Sequence, residues 1–302
     1  MTVLSLHRIS DERNYFWNPI RPKTFDQLLA YVKKNYQVIG FNELEEASKV
    51  ETNKPLLILS FDDGYHDFYE HALPLLLKHG LPSNHNVVNA CATGHSIIWT
   101  ERLNIIFEHC RLNAIDLELE FEGRKSGISH FSGSWMPFYI DAFKTLLSME
   151  LESRTAWLDR LQEQIGIETN VQMMNWDEIR DCAANGVEIG CHTYRHDALA
   201  TIRDEEVLRQ EIIQAKAETE SAIGKKVTVF ALPNGQTGAL ADSVISNSDH
   251  KFVLFANDEL NALPLTTTRG PIPISRINLI DEPFPQMIMR LEQFHKMLRN
   301  YV

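Results

Sequence analysis

Two short stretches of this chain hold residues of the kind that carry out metal-assisted hydrolysis. In the first, Leu56-Leu57-Ile58-Leu59-Ser60-Phe61 runs into Asp62-Asp63-Gly64. The aliphatic run after Pro55 reads as a short strand buried on both faces, ending in paired carboxylates and a glycine that can take the positive φ of a sharp turn. In α/β folds such strand ends gather the chemistry, because the strand fixes a position and the turn exposes the side chain. An Asp-Asp-Gly by itself also serves as a plain turn. The second stretch, Val187 to His196, alternates Val187, Ile189 and Cys191 with Glu188, Gly190 and His192, and it carries His192 and His196 four residues apart. One helical turn after that strand would bring both imidazoles to one side. An aspartate with two histidines is a three-ligand set that leaves coordination positions for water, the composition of a hydrolytic rather than a structural zinc site. The chain has 12 histidines, so the histidine spacing gains its weight from the paired acids on an equivalent strand end. Cys191 alternates with the apolar residues and is expected to point away from such a site.

Phe61-Asp62-Asp63-Gly64 and His192-Thr193-Tyr194-Arg195-His196 resemble the first two motifs of the polysaccharide deacetylase superfamily, the NodB-homology or carbohydrate esterase family 4 group. Phe230-Ala231-Leu232-Pro233-Asn234-Gly235 resembles its third motif, and the similarity runs from Leu4 to about Ile280. The resemblance implies an α/β fold, a distorted (β/α)7 barrel, with Asp63, His192 and His196 on one divalent metal and Asp62 as general base. Imidazoles and a carboxylate suit zinc, and cobalt, nickel or iron accept the same ligand types. In circularly permuted members the strand with the catalytic-acid histidine sits at the amino terminus. Leu6-His7-Arg8-Ile9 resembles that motif moved forward, and no Leu-x-His follows the third motif. On composition alone, His7 is the polar end of a strand.

The third motif departs from the common Arg-x-Pro-Tyr-Gly form. Ala231 stands where other members carry the arginine beside the catalytic aspartate, and Asn234 replaces the tyrosine. The backbone N–H that helps bind the oxyanion can still come from Asn234, and Arg276 on a late strand is expected to bring the missing cation to Asp62. The implied activity is removal of an N-acetyl or N-formyl group from an amino sugar in surface-polysaccharide biosynthesis, such as O-antigen or capsule. Its substrate would be a sugar nucleotide, a lipid-linked sugar or a related glycan precursor. Two other readings stand beside it: a non-catalytic carbohydrate-binding or assembly protein of the same fold, and an amidohydrolase of cyclic imides or ureides.

The elements that must position these residues alternate strand and helix along the chain, which argues for parallel strands with crossover helices. At 302 residues, 44% hydrophobic and 23% charged, the chain can bury a full core as one barrel domain, and no linker forces a second. A net charge of −12 argues against an extended nucleic-acid surface. No run approaches the roughly 18 apolar residues that span a bilayer. The start lacks a secretory pattern, and Cys91, Cys110, Cys182 and Cys191 fit reduced buried thiols, so the expected compartment is the cytoplasm. Thr24-Phe25-Asp26-Gln27 has the form of a capping box opening a helix. Tyr36 to Phe41 reads as a strand, Asp204 to Ile223 as one long amphipathic helix and Pro283 to Arg299 as a final helix packing Ile288, Leu291, Phe294 and Leu298. From about 95 to 174 the pattern weakens into a helix, a strictly alternating Leu117 to Glu122 hairpin and a helical region near Ile140 to Ile165. This stretch reads as an insertion that walls or lids the site, or as an oligomer interface.

Overall fold

The computed structural model describes residues 1–50, 53–94, 96–265, 267 and 270–294. Its strands are β1 (Thr2–Leu6), β2 (Gln37–Val38), β3 (Leu56–Phe61), β4 (Ser83–Val87), β5 (Leu117–Phe121), β6 (Arg124–Ile128), β7 (Val187–Cys191), β8 (Val229–Ala231), β9 (Phe252–Ala256) and β10 (Ile272–Asn278). Seven of them close on themselves in the order β1-β3-β4-β7-β8-β9-β10, all parallel, with β10 returning to β1. This is a (β/α)7 barrel. The short β2 pairs with Leu56 and Leu57 below the point where β4 takes Ser60 and Phe61, so it extends the wall without entering the ring.

The barrel strands are apolar on both faces because helices cover the outside. β1 and β3 are buried throughout, and Leu57, Leu59 and Phe61 pack with Phe25, Leu28 and Leu29 of helix Pro22–Asn35. That helix starts at Pro22, whose fixed φ suits a first helical residue, with Arg21 extended before it. Thr24 therefore lies inside the helix and forms no capping box. The expected strand from Tyr36 to Phe41 is only β2, because Phe41 already opens helix Phe41–Ala47. Helix Trp176–Ala184 is capped by Asn175, whose side chain accepts the N–H groups of Asp177 and Glu178.

The Asp204 to Ile223 region is helical throughout but not uniformly so, since Gln210–Gln214 is a π-turn between Glu205–Arg209 and Ala215–Ile223. Single-turn bulges of this kind are frequent at functional sites; this one carries Glu211, which is fully buried. The last helix among the described residues is Phe284–Leu291, which buries Met287 and Leu291 and packs Ile288 partly. Phe294 is 47% exposed rather than packed, and Leu298 and Arg299 lie outside the described residues. Between β4 and β7, helix Trp99–Leu112, the antiparallel β5–β6 hairpin and helices Trp135–Leu147 and Leu151–Ile165 share an apolar cluster of their own, centred on Leu103, Phe107, Leu146 and Leu158. Among the described residues, no helix is long and apolar enough to cross a membrane.

Candidate active site

The parallel register gathers the chemically capable residues at one end of the barrel. Leu6 lies opposite Phe61, so His7 and Asp62 emerge side by side, and the Asp62 N–H donates to the Leu6 carbonyl at 3.0 Å. Cys191 lies between Val87 and Phe230, which brings His192 to the same rim. All of these positions follow carboxyl ends of strands, where a barrel places its loops.

Asp63 Oδ1 stands 3.3 Å from the Nε2 of His192 and 3.3 Å from that of His196. The three donor atoms lie within 4.8 Å of one another, and all three residues are buried. His192 Nδ1 lies 2.9 Å from the Ala231 carbonyl, so that nitrogen carries the proton and Nε2 presents a lone pair. Asp63 Oδ1 is buried with no hydrogen-bond partner, an orphan acceptor that a cation would satisfy. On donor chemistry and on this orphaned atom the three residues fit a divalent metal. Burial lowers the His196 pKa to about 3, which keeps that imidazole neutral as a ligand must be. At His192 burial also opposes the charge, but Asp62 and Asp63 outweigh it and raise the pKa.

The histidines do not occupy a helical turn, contrary to the sequence expectation. His192 to His196 is a folded loop in which Thr193 (φ 63°) and His196 (φ 59°) take left-handed backbone conformations. The loop is held from beneath by Glu211, which accepts the N–H groups of Tyr194 and Arg195 at 3.1 and 2.9 Å and pairs with the Arg195 side chain at 2.7 Å. The Thr193 hydroxyl accepts the His196 N–H at 2.9 Å. Asp63 itself sits at φ 80°, a conformation rare outside glycine that points to a constrained site. Cys191 is buried in the apolar cluster around Leu208 and Phe230, away from the donor group.

Asp62 is gripped by Arg276 from β10, with guanidinium nitrogens 2.8 Å from each carboxylate oxygen. Asn86 donates to the same Oδ1 at 2.8 Å. Burial works against the Asp62 charge, but Arg276 and His192 dominate and hold its pKa far below the usual carboxylate range. The expected contact between Arg276 and Asp62 is thus present. Half-buried His7 meets Trp17 edge to face at 5.2 Å; its burial lowers the pKa against the pull of Asp63 and Asp62. Asn234, at φ 54° in the turn Pro233–Gly235, has its side-chain nitrogen buried without a partner.

A family model for polysaccharide deacetylase matches residues 161–253, a stretch that contains both histidines and the third motif. The chain has the fold of the solved Streptococcus pyogenes deacetylase PplD in complex with acetate, at 15% identity over 96% of this chain and 97% of that one, TM-score 0.61. The resemblance is to the polysaccharide deacetylase superfamily. IcaB from Ammonifex degensii is similar at 17% identity over 96% of both chains, TM-score 0.59. A de-N-acetylase from Aggregatibacter actinomycetemcomitans is similar at 17% identity over 96% of this chain and 98% of that one, TM-score 0.56. No curated protein matches by sequence.

Beside the residues that the deacetylase motifs single out, the site depends on several that sequence reasoning passed over. Asn84 and Asn86 sit two apart on β4, where a strand buried throughout would ordinarily carry aliphatic side chains, and with Ser60 they form a polar layer under Asp62. That alternation of asparagines was the available signal. His85, on the opposite face of β4, accepts the Gly64 N–H at 3.1 Å and so steadies the turn after the acid pair. Glu211 gave no signal beyond being one acid on an amphipathic helix.

Proposed function

We propose that this protein is a metal-dependent hydrolase that removes an N-acyl group, acetyl or formyl, from an amino sugar during surface-polysaccharide assembly. The observation that carries the reading is the buried convergence of Asp63, His192 and His196 beside an Asp62 kept ionised by Arg276. A divalent ion held by Asp63, His192 and His196, zinc on ligand type, would polarise a water and the acyl carbonyl.

The remaining work falls to the chain's own groups. Asp62 takes the proton of the attacking water as oxygen bonds to the acyl carbon. Arg276 and Asn86 hold that carboxylate in place, so its orientation does not drift between turnovers. The Asn234 backbone N–H donates to the developing oxyanion. As the carbon–nitrogen bond breaks, protonated His7 donates to the departing nitrogen, which yields a free amine and a carboxylic acid. An amide anion is a very poor leaving group, so this proton is required. Burial lowers the His7 pKa and makes its imidazolium a readier donor once formed.

The superfamily resemblance supports an N-acylated glycan or glycan precursor as substrate. We place the reaction in the cytoplasm, on a sugar nucleotide or lipid-linked sugar before export. The test is release of acetate or formate by the zinc-supplemented protein from N-acetyl and N-formyl amino sugars, presented free, as nucleotide sugars and as oligomers, with cyclic imides and ureides run in parallel. Release from amino sugars by wild type, and none by Asp62→Asn, is the expected result. Equal release by both proteins, or turnover of the imides alone, overturns the reading.

A further inference from the structure

The segment between β4 and β7 touches the site through two ion pairs, one partly and one fully buried, and each engages the residue that directly follows a site histidine. Glu101, on helix Trp99–Leu112, lies 3.2 Å from a guanidinium nitrogen of Arg8, the neighbour of His7; Asp67 holds the same guanidinium at 2.7 Å. On the other side, Arg154 of helix Leu151–Ile165 is fully buried and paired with Asp197, the neighbour of His196. The Arg154 guanidinium lies 4.7 Å from the ring centre of Trp99, and its Nη1 donates to the carbonyls of Leu146 and Met149 at 3.5 and 3.4 Å. Asp197 also accepts the Ala198 N–H at 2.7 Å. Each of the two side chains thus has a partner besides the other, while Arg154 Nε and Asp197 Oδ2 are buried without one.

The two metal-site histidines differ in how they are oriented. His192 is aimed by its Nδ1–H on the Ala231 carbonyl, whereas His196 Nδ1 is buried with no partner. The His196 ring direction is therefore set by its backbone, and that backbone sits at φ 59° beside a β-branched Thr193 at φ 63°. Such conformations persist only where the surroundings over-determine them. Glu211 fixes the middle of the loop; the Arg154–Asp197 pair fixes its exit.

We propose that Arg154 is a positioning residue for the metal site: through Asp197 it holds His196 in its ligating geometry, so the inserted segment is a structural part of the site and not only a lid over it. This rests on the metal-site reading and goes beyond it by assigning the insertion a task.

The informative variant removes both charges, since Arg154→Met alone leaves a buried, uncompensated carboxylate that threatens the fold, whereas replacing both members of a buried pair is often neutral. Zinc affinity of Arg154→Met/Asp197→Asn, measured by competition with a chromophoric chelator, is expected to fall about 10- to 100-fold, the usual effect of losing a group that orients a ligand. Thermal unfolding of the zinc-free protein is expected to stay cooperative. Asp197→Asn alone keeps the acceptor for Ala198 and is expected to weaken zinc binding in the same direction. Arg102→Ala breaks the 2.7 Å Arg102–Asp159 pair inside the segment and is expected to leave zinc affinity at the wild-type value. Wild-type affinity in the folded double variant overturns the proposal, as does equal weakening by Arg102→Ala. A wild type that takes up no zinc overturns the metal-site reading itself, and the proposal with it.

Discussion

Arg276 and Asp62 stand 214 residues apart in the chain and meet through a two-point contact with oxygens and nitrogens 2.8 Å apart. Each is buried, so neither charge has water to fall back on, and removing one exposes the other to the full cost of burial. Arg276→Met should therefore raise the Asp62 pKa and reduce turnover about 10²- to 10⁴-fold, the range for a lost general base, while metal content by elemental analysis stays at the wild-type level. Unchanged turnover would remove Arg276 from the site. At this scale the sequence was legible where spacing concentrates chemistry: Asp62 and Asp63 on a strand end, His192 and His196 four apart. Asn86 left a trace in the asparagine alternation of β4, whereas Arg154 and Glu211 left none, because their partners are brought near only by the closed barrel.

The elements carry a second set of constraints. Parallel strands with crossover helices followed from the aliphatic runs and their alternation with helices, the barrel was implied by the family resemblance, and the β5–β6 hairpin followed from strict alternation; the strand order comes from the structure. The histidine loop was not legible: its left-handed residues lie where Glu211 and Arg154, both distant in the chain, bond to the loop and its exit, contacts that the spacing does not announce. β7 illustrates how tightly the layer beneath is built. A Cβ on Gly190 would come 2.1 Å from Asn86 Oδ1, 3.1 Å from Asn84 Nδ2 and 3.1 Å from the Val229 carbonyl. Asn86 holds Asp62 from there, so it cannot yield without releasing the acid. Gly190→Ala should cost about 1–3 kcal/mol, the usual penalty for overpacking, read as a lower denaturant midpoint. It should also lower turnover in the fraction that remains folded. An unchanged midpoint would mean that β4 and β7 are more loosely packed than the structure has them.

Across the whole molecule, buried histidines set the response to acid. Burial lowers the pKa of His85 to about 4 and that of His250 to about 3, whereas in the unfolded chain both take up a proton near 6.5. Below pH 6.5 the unfolded state binds more protons than the native state, so stability is lost as pH falls, by up to about 1.4 kcal/mol per pH unit for each such group. Burial raises the pKa of Asp67, Glu101, Glu188 and Glu211, and these bind protons in the native state first, which offsets the loss toward the carboxylate range. His192 acts in the opposite sense: its raised pKa adds stability that is present below 6.5 and fades as pH climbs through the raised value. The melting midpoint of chelator-treated protein should therefore fall between pH 6.5 and 5, and His250→Gln should flatten that slope. A midpoint that is level across this range would contradict the neutral state of His85 and His250.

The central claim is that Asp63, His192 and His196 bind one divalent metal. Elemental analysis of purified wild type, Asp63→Asn and His192→Ala tests it most directly. The account predicts close to one metal per chain in wild type after zinc is supplied, and a large drop in both variants. Wild type that holds no metal after zinc addition, or variants that hold as much as wild type, would contradict it.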